Sequence, residues 1–189
     1  MREDWSGITK EKLAMLFPIM LEDHNPMWSD CYMQEKDFLQ TVFKNHIIRI
    51  NHIGSTSVAG LLSKPTIDIL IEVSKNTDIE AITEELINKG YVVNHANDDI
   101  ITFIKGYTPH GFEGQAVHIH VRYSGDWGEL YFRDYLVLHA DIAREYERLK
   151  KELKEKYLHD RDGYTEAKGQ FIKEHTNKAR AEFPNKYAP

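Results

Sequence analysis

The run of residues 66–73, Thr-Ile-Asp-Ile-Leu-Ile-Glu-Val, constrains the fold more than any other segment. Its nearly continuous Ile, Leu and Val residues predict a strand. A second predicted strand, residues 47–53, is β-branched and alternates along its length. The residues between the two runs carry glycines and small polar side chains, which favour turns. The sequence therefore predicts two strands joined by a polar, glycine-bearing turn.

Further periodic segments surround these two strands. Residues 17–22 predict a strand, and apolar residues at helical intervals then predict an amphipathic helix from about Trp28 to Asn45. A helix is predicted between its cap Asp78 and its stop Gly90. The remaining predictions are an antiparallel meander, a Pro/Gly loop within it and three helices: strands 91–94, 100–104 and 116–123, loop 106–114, and helices 128–139, 141–157 and 163–182. This order predicts an α+β or α/β protein with a mixed sheet and flanking helices, forming one domain over residues 1–189 with a C-terminal helical part at about 126–183.

Composition excludes several classes of protein. Lys and Arg number 24 against 30 Asp and Glu, a net charge of −6, which argues against binding of extended nucleic acid or of an anionic membrane. The single cysteine, Cys31, excludes an intrachain disulfide and a cysteine-rich metal site. No segment reaches the roughly 18 apolar residues that a membrane helix needs, and the N-terminus lacks a secretory pattern. We expect a cytoplasmic protein whose oligomeric state the sequence leaves open.

Asp68 is the first candidate for chemistry, because an ionised carboxylate inside an apolar run is costly unless cations or hydrogen-bond donors compensate. On a strand, Asp68, Leu70 and Glu72 share one face. Asp68 and Glu72 would lie roughly 13 Å apart, too far to share one ion. We therefore expect Glu72 to be a solvated strand end.

His118 and His120 also lie two residues apart on a predicted strand, so both face one side and could converge on one ion. The alternative is a pair of half-exposed or hydrogen-bonded core histidines. Together with Asp68 they would form a set of two nitrogens and one oxygen, which suits Zn, Mn or Fe better than Mg. This site requires the two strands to be neighbours, and periodicity does not give the strand order.

The segment Gly54-Ser55-Thr56 follows a strand and could bring backbone amides close to a phosphate, especially if a helix begins at residue 55. An ordinary Gly-Ser turn is the alternative. Basic residues that could neutralise a substrate follow later in the chain, where surface decoration is the alternative for each: Lys64, Arg133, Lys150 and Lys168. Arg133 could clamp a phosphate or simply pair with the adjacent Asp134.

Several of these residues lie in motifs that resemble the signature of the GrpB family. The motifs occur in order within about residues 17–175: His52-Ile53-Gly54-Ser55-Thr56-Ser57-Val58, Gly60-Leu61, Lys64-Pro65-x-Ile67-Asp68-Ile69, His118-Ile119-His120-Val121, Phe132-Arg133-Asp134-Tyr135-Leu136, Tyr146-x-x-Leu149-Lys150 and Tyr164-Thr165-Glu166-Ala167-Lys168. The resemblance implies a nucleotidyltransferase-like fold, in which a Gly-Ser turn cradles triphosphate and an acidic strand binds a divalent metal. It also implies a relation to domains that can be fused to dephospho-CoA kinase.

The leading hypothesis is an enzyme that transfers a nucleotidyl or related phosphate-bearing group to a small molecule in a metal-dependent reaction. Leu70 stands where the second acid of an Asp-x-Asp/Glu pair is usual, which leaves His118 and His120 as substitute ligands. The metal would be Mg, Mn or Zn. The proposed catalytic and metal-binding residues are Asp68, His118 and His120, and the phosphate-binding residues are Gly54, Ser55, Thr56, Lys64, Arg133, Lys150 and Lys168. The alternatives are a non-catalytic nucleotide- or coenzyme-binding accessory domain, related to coenzyme A metabolism, and a metal-dependent phosphohydrolase.

Overall fold

A computed structural model of the chain describes residues 5, 7–97 and 100–189, and its centre is a mixed five-stranded sheet. The strands are β1 (Ile47–Ile53), β2 (Thr66–Val73), β3 (Val92–Ala96), β4 (Ile100–Thr108) and β5 (Gly111–Tyr123). They lie in the order β1-β2-β5-β4-β3, in which β2 and β5 run parallel and the other neighbouring pairs run antiparallel. The predicted α+β architecture, a mixed sheet with flanking helices, is confirmed.

Helices cover both faces of this sheet. They are α1 (Lys10–Leu16), α2 (Met27–Phe43), α3 (Ile79–Asn88), α4 (Gly128–Leu138), α5 (Ala140–Lys156), α6 (Arg161–Ala167) and α7 (Gly169–Glu182). The main hydrophobic core lies between one face of the sheet and helices α2 and α3. On the opposite face, Leu130 of α4 packs against Ile53 and Leu70. None of the helices in the described part of the chain combines the length and hydrophobicity that crossing a membrane would require.

Strand β2 is buried on both faces along most of its length. Ile67, Ile69 and Ile71 are fully buried in the core that includes α2 and α3. Glu72 lies on the opposite face with Asp68 and is also fully buried, so the expectation of a solvated strand end is wrong. The carboxylate of Glu72 accepts two hydrogen bonds from Arg49 and one from the backbone N–H of Gly125, which compensates for its removal from water.

Three predicted boundaries differ from the structure. Residues 17–22 form no strand beyond an isolated bridge between Glu22 and Ser63, because Pro18 has no N–H to donate to a ladder. The predicted loop at 106–114 is mostly strand: Gly106, at φ +87°, accommodates a bulge, so that only residues 109 and 110 separate β4 from β5. The predicted helix 163–182 is two helices that meet at Lys168, just before Gly169, a poor helix former.

Other predictions agree closely with the structure. Strands β1 and β2 occupy the predicted residues, α3 begins after its cap Asp78, and β3 to β5 form the predicted antiparallel meander. Helix α1 was not predicted. The segment after Gly54 makes one 3₁₀ turn, Ser55–Ser57, rather than a longer helix.

Candidate functional site

Asp68, His118 and His120 lie together on the sheet face opposite the main core. Strands β2 and β5 are parallel neighbours, and their register places Asp68 directly opposite His118. His120 shares the face of His118 because side chains alternate along a strand. Asp68 Oδ1 lies 3.4 Å from His118 Nδ1 and 3.5 Å from His120 Nε2. One potential ligand atom from each residue lies within 4.8 Å of the others, a spacing that suits a shared metal ion.

The two histidines stabilise the charge of Asp68. Burial works to raise the pKa of this carboxyl, but hydrogen bonds and positive charge from His118 and His120 outweigh burial and hold the pKa well below its usual range. Gly54, at φ +70°, leaves room for the carboxylate, because a Cβ at this position would lie 2.5 Å from Asp68 Oδ2. The Gly-Ser turn therefore packs directly against the acidic member of the triad.

Thr56 connects the Gly-Ser turn to the neighbouring strands. Its hydroxyl donates a hydrogen bond to the carbonyl of Thr66 at 2.9 Å and contacts His52 Nε2 at 3.0 Å. The ring of His52 stacks on Tyr32 with the ring centroids 4.7 Å apart. Burial is the main cause that lowers the pKa of His52 to about 4, so the ring is neutral at ordinary pH. Thr56 is buried, and this network ties the turn to β1 and β2.

An open cavity of about 1240 Å³ includes the triad, and several basic side chains form part of its lining. Besides the triad, Gly54 and Ser55, the lining includes Lys64, Lys105, Lys150, Arg161 and Lys168. Lys150 is only 2% exposed, and its ammonium donates hydrogen bonds to the carbonyl of Leu62 and to Ser55 Oγ. Within the described ranges, Lys64, Lys150 and Lys168 form no salt bridge with a carboxylate.

Burial and neighbouring positive charge lower the pKa values of the three lysines. Burial, the largest cause, lowers the pKa of Lys64 and of Lys150 to about 7 and that of Lys168 to about 8. The charge of Lys168 lowers the pKa of the other two further. Asp68 works to raise the pKa of Lys64 and Lys168, whereas Arg161 lowers both. Such a cluster of like charges is suited to bind an anion, which would relieve the repulsion.

Two lysines of this cluster make cation–π contacts with tyrosines four residues earlier in the sequence. In α5, Lys150 Nζ lies 4.8 Å from the ring centroid of Tyr146, and at the end of α6 Lys168 Nζ lies 4.4 Å from that of Tyr164. Both pairs are Tyr-x-x-x-Lys, so the i, i+4 rule would have placed each lysine beside its tyrosine. Sequence reasoning named both tyrosines within the family motifs but proposed no role for them, and it did not propose Arg161 as a site residue.

Arg133 lies away from the cavity. Its guanidinium donates hydrogen bonds to Asp134 Oδ1 at 2.8 Å, to the carbonyl of His52 at 3.1 Å and to the hydroxyl of Tyr187 at 3.0 Å. The simpler of the two expectations, a pair with Asp134, is the one that the structure shows. Apart from Arg133 and the supporting Thr56, the structure thus brings all eight remaining predicted site residues into the cavity lining: Gly54, Ser55, Lys64, Asp68, His118, His120, Lys150 and Lys168.

The Tyr164 hydroxyl is buried and has no hydrogen-bond partner among the described residues. Tyr164→Phe removes this unpaired group, so we expect the free energy of unfolding to rise by about 1 kcal/mol. Urea denaturation of the metal-free protein measures the change. Tyr91→Phe is the matched control, because the Tyr91 hydroxyl donates to Glu35, and its loss should lower stability. Equal losses in both variants would contradict the unpaired state of Tyr164.

Comparisons with known proteins identify the same family as the sequence motifs do. Residues 18–178 match the family described as GrpB protein. The chain is 36% identical over 155 residues to UPF0157 protein YqkA of Bacillus subtilis, and it spans 44% of that protein. It is 33% identical over 165 residues to glutamate-rich protein GrpB of Alkalihalophilus pseudofirmus, covering 84% of this chain and 94% of the relative.

A solved structure shares the fold. The crystal structure of conserved protein GrpB from Enterococcus faecalis superposes with a TM-score of 0.77 at 26% sequence identity, covering 87% of this chain and 99% of the other. The family match covers the β1–β2 turn, the triad and the lysine cluster alike. The chain therefore belongs to the GrpB family.

Proposed function

We propose that this protein transfers a nucleotidyl or related phosphate-bearing group to a small molecule in a reaction that requires a divalent metal. The observation that carries the proposal is the shared cavity: three potential metal ligands and three lysines without carboxylate partners, among the described residues, line the same space. A metal-bound nucleoside triphosphate would use both features, because the negative charge of its phosphate chain exceeds what one divalent ion neutralises.

The donor atoms fit a divalent ion. Asp68 Oδ1, His118 Nδ1 and His120 Nε2 would hold it, and this set of two nitrogens and one oxygen suits Zn or Mn better than Mg. When bound, the metal would polarise a phosphoryl oxygen. Asp68 is ionised at ordinary pH, since its pKa is held low. It therefore offers a negatively charged ligand, although Leu70 stands where a second acid is usual.

The lysines would bind and orient the phosphate groups. Lys150 already donates to Ser55 Oγ, so a phosphate beside the Gly-Ser turn would meet this ammonium and the hydroxyl together. Lys64 and Lys168 flank the ring of Tyr164, at 5.5 and 4.4 Å from its centroid, and offer two further cations. These groups would neutralise charge that develops as the phosphate ester is cleaved.

Phosphate ester hydrolysis is the second candidate function, and one observation favours it. Leu70 is apolar, and both carboxylate oxygens of Glu72 accept hydrogen bonds from Arg49. Strand β2 therefore offers the site one carboxylate, Asp68, which is fewer than a two-metal transferase site normally uses. Two histidines and one carboxylate can hold a single metal with a position open for water. Hydrolysis would release phosphate with no acceptor present.

Thermal unfolding followed by turnover assays tests both functions. The purified protein is titrated with Mg²⁺, Mn²⁺ or Zn²⁺ and with nucleoside triphosphates or coenzyme A precursors. A ligand at about 100 times its dissociation constant should add about 2.7 kcal/mol, a rise of several degrees in the unfolding temperature. Transfer requires a metal-dependent shift and product formed only with an acceptor. Binding without turnover would instead support an accessory domain, and no shift with any ligand would contradict ligand binding altogether.

Anion binding should weaken as pH rises, because the lysines of the cluster lose their protons near neutrality. With a pKa of about 7 for Lys64 and Lys150, an anion must restore their protons above that pH. Affinity should then fall by about tenfold per pH unit for each lysine that takes up a proton. Calorimetry with sulfate, whose charge does not change over this range, in buffers of different ionisation enthalpy measures the uptake. Affinity that stays constant from pH 6 to pH 9 would contradict the lowered pKa values.

A further inference from the structure

His118 has a second polar contact on the side of its ring that faces away from Asp68. Its Nε2 lies 2.8 Å from the hydroxyl oxygen of Tyr107, while its Nδ1 lies 3.4 Å from Asp68 Oδ1. The Tyr107 hydroxyl in turn accepts a hydrogen bond from Arg161 Nη2 at 3.0 Å. A chain of three contacts therefore runs from Arg161 through Tyr107 and His118 to Asp68.

This series of contacts bears on which nitrogen of His118 can bind a metal. A neutral histidine carries one N–H and one free lone pair, so the nitrogen that binds a metal leaves the proton on the other. A metal beside Asp68 would meet Nδ1 of His118, which places the proton on Nε2. That N–H needs an acceptor, and the Tyr107 oxygen is at hydrogen-bond distance.

Arg161 and two aromatic rings hold the Tyr107 hydroxyl in position. Because a guanidinium only donates hydrogen bonds, Arg161 fixes one lone pair of the Tyr107 oxygen and leaves the other for His118. The Tyr107 ring packs against Phe17 and Phe112, with centroids 5.1 and 5.2 Å away. Arg161 also donates to the carbonyl of Phe17 at 3.4 Å, which ties the whole group to one wall of the cavity.

We propose that Tyr107, held by Arg161, is a positioning residue that keeps the His118 proton on Nε2 and so presents Nδ1 to the metal. The inference rests on the proposed metal site and adds to it the tautomer and ring orientation of one ligand. Neither Tyr107 nor Arg161 touches the ion; both act through His118.

Tyr107→Phe tests the proposal, since it keeps the aromatic ring between Phe17 and Phe112 and removes only the hydroxyl. We expect Zn²⁺ affinity, measured by calorimetry on the metal-free full chain, to fall by about 10- to 100-fold. Tyr91→Phe is the control, because it also removes a bonded tyrosine hydroxyl, one whose partner is Glu35. Its Zn²⁺ affinity should match that of the parent.

Long-range ¹H–¹⁵N NMR of the histidine rings supplies a readout that a merely structural role would not move. In the Zn²⁺-bound parent we expect a metal-bound Nδ1 and a protonated Nε2 for His118, and in Tyr107→Phe we expect this fixed pattern to be lost. Unchanged affinity in Tyr107→Phe, or a parent in which Nε2 binds the metal, would overturn the inference and leave the proposed function standing. A parent that binds none of Zn²⁺, Mn²⁺ and Mg²⁺ would overturn both.

Discussion

Asp68→Asn is expected to abolish metal-dependent turnover and to weaken metal affinity by at least about 100-fold. Loss of a group that merely orients a ligand already costs about 10- to 100-fold, and Asp68 is itself the negative ligand of the triad. The amide keeps the size and shape of the carboxylate, so the packing against Gly54 is retained. Calorimetry with Zn²⁺ and Mn²⁺ measures the affinity, and the turnover assay with an acceptor measures the rate.

The control for this variant is Asp134→Asn. Asp134 is also a carboxylate whose pKa is lowered by hydrogen-bonding neighbours, but its partners are Arg133, Lys186 and Tyr187, away from the cavity. We expect its metal affinity and turnover to match those of the parent. An Asp68→Asn protein that binds metal and turns over like the parent would contradict the proposed site, provided that circular dichroism shows both variants folded.

The sequence predicted the members of the triad, but not that they meet. A carboxylate within an apolar strand and two histidines at i, i+2 spacing are properties of single strands, which alternation reveals. Contact between Asp68 and His118 depends on β2 lying beside β5 in parallel, although α3, β3 and β4 separate them in the chain. Periodicity within one strand carries no information on such a distant neighbour.

Residues on the same strand face proved to have different surroundings. Asp68 lies at the open cavity, Leu70 packs under α4, and Glu72 is sealed by Arg49 and Gly125. Alternation gives the face of a side chain but not what covers that face, and for this reason the expectation for Glu72 was wrong. The same limit hid Tyr107, whose role depends on His118 and Arg161, residues from two other elements.

Neither charge nor motif membership distinguishes the lysines of the cavity from Arg133. Lys150 and Lys168 belong to segments that resemble the family, and each lies four residues after a tyrosine on a helix. Arg133 also lies in a segment that resembles the family, yet it pairs with Asp134 away from the cavity. The distinction is physical: the two lysines are inward-facing and lack a carboxylate partner in the described part of the chain, whereas Arg133 has one beside it.

Removal of Arg49 should destabilise the protein strongly, because its partner Glu72 is a fully buried carboxylate. Arg49→Met leaves the fully buried Glu72 carboxylate with one remaining donor in the described structure, the backbone N–H of Gly125. It also removes the hydrogen bonds from Arg49 to the carbonyls of Gly125 and Tyr187, which hold the C-terminal segment near the sheet. We expect the free energy of unfolding, measured by urea denaturation, to fall by about 3 kcal/mol.

Two further variants separate a buried uncompensated charge from the loss of any ion pair. Lys178→Met breaks an exposed pair with Glu174 and should cost no more than about 0.5 kcal/mol. The double variant Arg49→Met/Glu72→Leu removes both charges, so most of the lost stability should return, because an apolar pair avoids the desolvation of two ions. A double variant less stable than Arg49→Met would show that the hydrogen bonds of Arg49 and Glu72 to the backbone, rather than the buried charge, dominate the energetics of this end of β2.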